Sequence, residues 1–140
     1  MLIFTFIITV NSQTSSTTSN ISYPQKIIHQ YFNYIDLKDT KSIEKLVINK
    51  EDVLYIESII DSIKHISIIN VKEEENKSII KAYLKNNTDM EKENLKVYKV
   101  KYKIDYTKES GKQNKSGFYE NWYFIVEKSP SIWMIDIGEI

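Results

Sequence analysis

A strict alternation of residue types between positions 98 and 106 constrains the fold more than any other feature of the chain. Five apolar or aromatic residues alternate there with four charged ones: Tyr98, Val100, Tyr102, Ile104 and Tyr106 with Lys99, Lys101, Lys103 and Asp105. Successive side chains of a β-strand point to opposite faces, so this period of two predicts a strand with one packed and one solvated face. The rest of the chain must therefore supply a cover for the packed face.

Three other segments have the composition of strands. Residues 118–126 (FYENWYFIV) are apolar on both faces, which predicts a central strand, and residues 132–137 (IWMIDI) follow after a break at Ser129 and Pro130. Residues 62–72 are rich in isoleucine, and β-branched residues are enriched in strands. We expect an antiparallel sheet of about four strands.

Helices are predicted mainly before this sheet. Pro24 suits the first helical position and Ser22 suits the N-cap. Apolar residues then recur at helical spacing up to about Lys38, at Ile27, Ile28, Tyr31, Phe32 and Ile35. A shorter helix capped by Asp39 or Thr40, a helical piece near residues 53–60 and a helix over residues 77–86 follow. The predicted fold class is α+β, with N-terminal helices packed on an antiparallel sheet.

Composition excludes several classes of function. The chain has 140 residues, of which 19 are basic and 19 acidic; all 19 basic residues are lysine, and cysteine is absent. A disulfide scaffold, a thiolate metal site and a cysteine nucleophile are therefore excluded. Zero net charge argues against a nucleic-acid partner, whose phosphates require a basic surplus. No cofactor is expected.

The N-terminal segment has the pattern of an export signal. Residues 2–10 (LIFTFIITV) are apolar but too few to cross a bilayer as a helix, which takes about 20 residues. They fit the apolar part of a secretory signal, although no basic residue precedes them. We predict a signal-like segment over 1–12, a Ser/Thr-rich tether over 13–22 and a single α+β domain over 23–140. The alternatives are a start farther upstream and a buried first strand.

Three segments carry a resemblance to a known superfamily: residues 97–106 (VYKVKYKIDY), 117–128 (GFYENWYFIVEK) and 133–139 (WMIDIGE). They resemble small secreted domains of unknown function from low-GC Gram-positive bacteria within the nuclear transport factor 2-like (cystatin-like cone) superfamily. The resemblance implies a cone-like fold in which helices cover a strongly bent sheet. It also implies a secreted or extracytoplasmic protein, attached to a membrane only if its N-terminal segment stays uncleaved.

The resemblance also suggests residues for acid–base chemistry. Enzymes of the superfamily move protons inside the cone, which requires a desolvated carboxylate or histidine and a proton donor. The corresponding candidates are His29, Tyr31, Tyr98 and Asp136, but no motif links them. The two histidines are 36 residues apart and lack a pattern of nearby carboxylates, so we predict no zinc site.

Aromatic residues form the other candidate site. Six of them are predicted to line a pocket or an interaction surface: Tyr31, Tyr98, Tyr102, Tyr119, Trp122 and Tyr123. They equally fit a packed core with cross-strand pairs. If one helical layer covers only one face of the sheet, the apolar second face of the central strand needs another cover. We expect a homodimer through the sheet; an envelope protein or curled loops are alternatives.

Two functions remain at this point. The first is a non-enzymatic extracytoplasmic domain that binds a small apolar ligand or a protein partner. The alternative is an acid–base enzyme (an isomerase, dehydratase or hydrolase) with a Tyr/Asp or His/Asp pair inside the cone. Two titratable side chains within hydrogen-bond reach in one concave pocket would favour the enzyme.

Overall fold

The computed structural model describes residues 21–107 and 114–137. The signal-like segment 1–12 and most of the tether 13–22 lie outside the described residues. The described elements in chain order are α1 (Tyr23–Asp36), α2 (Thr40–Leu46), α3 (Lys50–Ile59), β1 (Ile63–Glu73), α4 (Lys77–Asn86), β2 (Leu95–Tyr106), β3 (Gly117–Ser129) and β4 (Ile132–Asp136).

The four strands form one antiparallel sheet in the order β1-β2-β3-β4. Strand β2 has the predicted alternation, and β3 lies between two neighbours as its apolar faces require. Strands that are adjacent in the sequence are thus also adjacent in the sheet, and the connection from β1 to β2 contains α4. The predicted α+β class with an antiparallel sheet of four strands is confirmed.

Strand β1 lies at one edge of the sheet and is irregular. Its register against β2 shifts between Ile63 and His65 and again between Ile68 and Asn70. An extra residue at each shift bends the strand and increases its twist. As a result, Ile66 and Val71 both pack against the core, whereas Ile69 is exposed.

The helix ends follow from local hydrogen bonds. Ser22 is the N-cap of α1, but its hydroxyl contacts the Tyr98 hydroxyl at 3.1 Å and makes no capping bond. Asp39 caps α2 by accepting hydrogen bonds from the Ser42 amide at 3.1 Å and the Ser42 hydroxyl at 2.6 Å. These bonds lower the pKa of the Asp39 carboxyl. Helix α1 ends at Asp36, two residues before the predicted end, and Lys38 has a φ of 60°.

Two separate cores lie on the two faces of the sheet. Helices α1, α2 and α3 pack on the face that we call the inner face, around the fully buried Ile28, Ile43 and Ile135. Helix α4 packs on the opposite, outer face, where the Tyr83 ring stacks on Phe124 with a centroid distance of 4.3 Å. The expectation that helices cover only one face is therefore wrong. Because α4 connects β1 to β2, the chain can cross to the outer face there and bury the end of β3.

Candidate functional site

A cavity of about 260 Å³ lies between α1, α3 and the inner face of the sheet. The helical period brings Tyr31 and Ile35 of α1 to one wall, and Asp52 and Ile59 of α3 to the next. Six aromatic residues contribute to its lining: Tyr31, Phe32, Tyr55, Tyr102, Tyr106 and Tyr123. Most other lining residues are isoleucines, and the polar groups of the lining are the tyrosine hydroxyls, the Asn121 amide and the Asp52 carboxylate.

The aromatic rings at the base of the cavity pack on one another. The Phe32 ring lies 5.0 Å from that of Tyr102 and 5.6 Å from that of Tyr123, measured between centroids. The Tyr31 ring lies 6.0 Å from that of Tyr123. Tilted and edge-on pairs at such distances stabilise a core beyond the area that they bury. This base is therefore a preformed part of the fold.

The hydroxyls of Tyr102 and Tyr123 at the base are hydrogen-bonded to each other. Tyr102 accepts a hydrogen bond from the Asn121 amide at 2.9 Å and another from the Tyr123 hydroxyl. Burial raises the pKa of Tyr31, Tyr102 and Tyr123 above that of a free phenol. These phenols consequently stay protonated and neutral at physiological pH.

Asp52 is the one carboxylate that lines this cavity among the described residues. Its Oδ2 atom is buried and has no hydrogen-bond partner in that part of the chain. Burial raises the pKa of the Asp52 carboxyl, and the negative charges of Asp136 and Glu51 raise it further. The first turn of α3 favours negative charge at this position. The site therefore holds a carboxyl group with unused hydrogen-bonding capacity.

We expect Asp52→Asn to be more stable than the wild-type protein at pH 7, by a few degrees in midpoint temperature. The folded-state pKa of Asp52 lies above its unfolded value of 3.8, so ionisation disfavours the folded state. The stability gain of Asp52→Asn should be absent at pH values below the unfolded-state pKa and should grow as the pH rises from there. It should be complete above the folded-state pKa of Asp52. Thermal melts at pH 7 and at about pH 3.5 measure it.

Glu51→Gln is the matched control, because Glu51 is exposed, lies in the same helical turn and is not part of the cavity lining. It should show a smaller gain than Asp52→Asn at pH 7, because it removes only one of the weaker contributions to the raised pKa of Asp52. Equal melting temperatures of Asp52→Asn and the wild type at pH 7 would contradict the assignment of Asp52 as a desolvated carboxylate.

The structure distributes the six aromatic candidates over three places. Tyr31, Tyr102 and Tyr123 line the cavity, and Tyr119 stacks on Tyr102 at 5.8 Å near its margin. Tyr98 is buried on the inner face beside Ser22, away from the lining. Trp122 lies on the outer face, because it is one residue from Tyr123 in an alternating strand.

The four acid–base candidates are not brought together. Only Tyr31 lines the cavity; the Asp136 carboxylate instead accepts a hydrogen bond from the Tyr83 hydroxyl at 2.6 Å. His29 borders a groove between α1 and β1, and its Nε2 atom is buried with no partner among the described residues. The His/Asp pair that does form joins His65 Nδ1 to Asp36 at 2.7 Å on the exposed edge of the sheet. Within residues 21–107 and 114–137, no three His, Asp or Glu residues are grouped for a metal ion.

Asp52 is the site residue that the sequence interpretation missed. It lies four residues before Ile56 and seven before Ile59, so it borders the apolar stripe of α3. A carboxylate at helical spacing from buried isoleucines was a usable signal. Asn121 was also missed, because nothing in the sequence shows that its amide reaches the Tyr102 hydroxyl across the strand pair.

The outer face of the sheet carries a small set of paired polar and aromatic side chains. The Lys99 ammonium lies 2.9 Å from a Glu120 oxygen and 5.3 Å from the centre of the Trp122 ring. The Trp122 indole donates a hydrogen bond to Glu74 at 3.0 Å, and Phe118 is exposed at the far end of β3. Cross-strand and cation–π contacts thus hold Trp122 in place beside the surface that α4 leaves open.

The helical layer, the antiparallel sheet and the cavity between them define an α+β domain with an interior cavity. The family model described as a domain of unknown function, DUF4829, matches residues 25–138. The chain therefore belongs to the DUF4829 family. No curated protein and no solved structure matches the chain. The helices of the described segments are all too short or too polar to span a bilayer.

Proposed function

We propose that this chain is a non-enzymatic, extracytoplasmic domain that binds a small ligand in the cavity between α1, α3 and the inner face. One observation carries the proposal: a mostly apolar cavity contains a carboxylate oxygen, Asp52 Oδ2, that is buried without a hydrogen-bond partner among the described residues. Buried polar groups are normally paired, and an unpaired one costs free energy. A ligand that pairs with Asp52 would remove that cost.

The size and lining of the cavity support a small ligand. Its volume of about 260 Å³ is slightly below the range of about 300–1,000 Å³ for pockets of drug-sized ligands. Packed rings at its base and isoleucines around them provide apolar contact area, and Asp52 provides one polar anchor. Few, well-placed polar groups in an apolar concavity are typical of ligand sites.

The cellular location and the wider superfamily form part of the proposal. Residues 2–10 have the pattern of a secretory signal, and the family match begins only at residue 25. A helical layer that encloses a cavity against an antiparallel sheet agrees with the nuclear transport factor 2-like cone. The homodimer through the sheet stays a prediction, for which the exposed Phe118 and the outer-face Trp122 offer the contact area.

Filling the cavity should abolish binding. We expect Ile59→Trp, which places an indole in the cavity lining, to weaken the binding of benzyl alcohol at least about tenfold, since the larger side chain occupies the ligand's volume. Saturation-transfer NMR with benzyl alcohol as the probe measures this. Leu54→Trp is the matched control, because Leu54 lies on the same helix and is exposed.

The wild type and Leu54→Trp should bind the probe alike. Equal binding to all three proteins would overturn the proposal, and so would failure of the wild type to bind either benzyl alcohol or a small organic cation such as choline. Circular dichroism of both variants verifies that the added indole has not unfolded the domain.

One observation favours the alternative, an acid–base isomerase, dehydratase or hydrolase. Tyr31 and Asp52 line the same cavity and form a Tyr/Asp combination there. A half-buried carboxylate could accept a proton while a neutral phenol donates one. Conversion of a captured ligand over time, lost in Asp52→Asn and retained in Glu51→Gln, would favour this function over simple binding.

A further inference from the structure

The cavity contains a negative charge that no basic side chain of its lining balances. Within the described lining, Asp52 is the only charged residue. The charges that act on it, those of Asp136 and Glu51, are also negative and disfavour its ionised form. Some other carboxylates of the described chain have basic partners, such as Glu120 with Lys99 and Glu73 with Lys96. The electrostatic environment at Asp52 therefore favours a cation.

The walls of the same cavity suit an organic cation rather than a hydrated metal ion. Six of the residues that line it are aromatic: Tyr31, Phe32, Tyr55, Tyr102, Tyr106 and Tyr123. The face of an aromatic ring attracts ammonium groups, and groups of such rings are a known way to bind quaternary ammonium ligands. A metal ion would instead need several oxygen ligands, whereas Asp52 supplies the lone carboxylate of this described lining.

We infer that the ligand of this cavity is a small organic cation, an amine or a quaternary ammonium compound, with Asp52 as its counter-ion and the aromatic rings around its apolar groups. This inference rests on the proposed function, because it names the class of ligand for the same cavity. The Asp52 carboxylate is already partly desolvated by folding. Binding of a cation therefore adds less desolvation cost on the protein side than it would at a fully solvated carboxylate.

A neutral ligand would satisfy this site less well. A hydroxyl group could donate a hydrogen bond to Asp52 Oδ2, but it would leave the negative charge uncompensated in an apolar lining. A quaternary ammonium group is weakly hydrated, so its transfer from water costs little. Its charge would lie near the Asp52 carboxylate, and its methyl groups would contact the aromatic rings of the lining. The charge and the apolar surface of such a ligand are thus both matched.

The test compares choline with 3,3-dimethylbutan-1-ol, its uncharged carbon analogue of nearly the same shape, by isothermal titration calorimetry on the wild-type protein. We expect choline to bind at least about tenfold more tightly than the alcohol. Asp52→Asn should reduce this preference to less than about threefold, whereas Glu51→Gln should retain it. Ile59→Trp should lose both ligands.

The possible outcomes distinguish the cation inference from the proposal that the cavity binds a ligand. If the alcohol binds the wild type as tightly as choline, or if Asp52→Asn retains the preference, the cation inference is overturned and ligand binding in the cavity stands. If benzyl alcohol binds but neither choline nor its analogue does, the same conclusion holds. If none of the three probes binds the wild type, both proposals fail.

Discussion

Replacement of Phe124 by alanine should lower the free energy of unfolding by about 3–5 kcal/mol. Phe124 is only 1% exposed, and its ring stacks on Tyr83 at a centroid distance of 4.3 Å. This contact joins α4 to the outer face of the sheet, so truncation leaves a cavity in the smaller of the two cores. Urea denaturation followed by far-ultraviolet circular dichroism measures the loss.

Phe118→Ala provides the matched control for this change. Phe118 lies on the same strand and the same face but is 66% exposed. Its truncation should change stability by no more than about 0.5 kcal/mol. Similar losses in the two variants would contradict the packing of α4 on Phe124. Because the ligand cavity lies on the inner face, Phe124→Ala should bind benzyl alcohol normally under conditions where it stays folded.

Replacement of Ile135 by alanine should cost about 2–5 kcal/mol of stability and should also weaken ligand binding. The Ile135 side chain is 0% exposed in the inner core. Its backbone carbonyl accepts a hydrogen bond from the Ile48 amide at 2.8 Å, which ties the α2–α3 connection to β4. Loss of packing there should loosen the position of α3, which carries Asp52 and Ile59. Urea denaturation and the benzyl alcohol titration measure the two effects.

Ile132→Ala is the control on the same strand, because Ile132 is 56% exposed. It should leave both stability and binding close to the wild type. If Ile135→Ala destabilises the fold but binds benzyl alcohol with unchanged affinity, the inner core does not position the cavity wall. The pair Phe124→Ala and Ile135→Ala thus tests whether the two cores have separate roles.

Local sequence patterns were sufficient to predict most of the helices and strands. The alternation from Tyr98 to Tyr106 predicted β2 because strand periodicity depends only on neighbouring residues. The stripe through Ile28 and Phe32 predicted α1 in the same way, with an end two residues too late. Residues 77–86 were predicted as a helix and form α4 with those bounds. Antiparallel pairing was predictable because one face of β2 is polar, and a sheet with one solvated face is typical of antiparallel strands.

The placement of elements against each other was less predictable. The apolar stripe of α4 shows that the helix buries one side, but it does not say which face of the sheet receives it. The same holds for Asp52, whose role depends on α3 lying over Tyr102 and Tyr123 from strands far along the chain. The register shift of β1 against β2 at Ile69 was also not predictable, because a run of isoleucines is compatible with either register.

The edge of the sheet has a consequence for assembly. Asp36 accepts a hydrogen bond from the outward-facing amide of Ile66 at 2.9 Å, and the strand is kinked on both sides of this point. A neighbouring molecule that approached as a fifth strand would meet an occupied donor and an interrupted ladder. Fibril-like growth along the hydrogen-bonding direction is thereby discouraged at this edge.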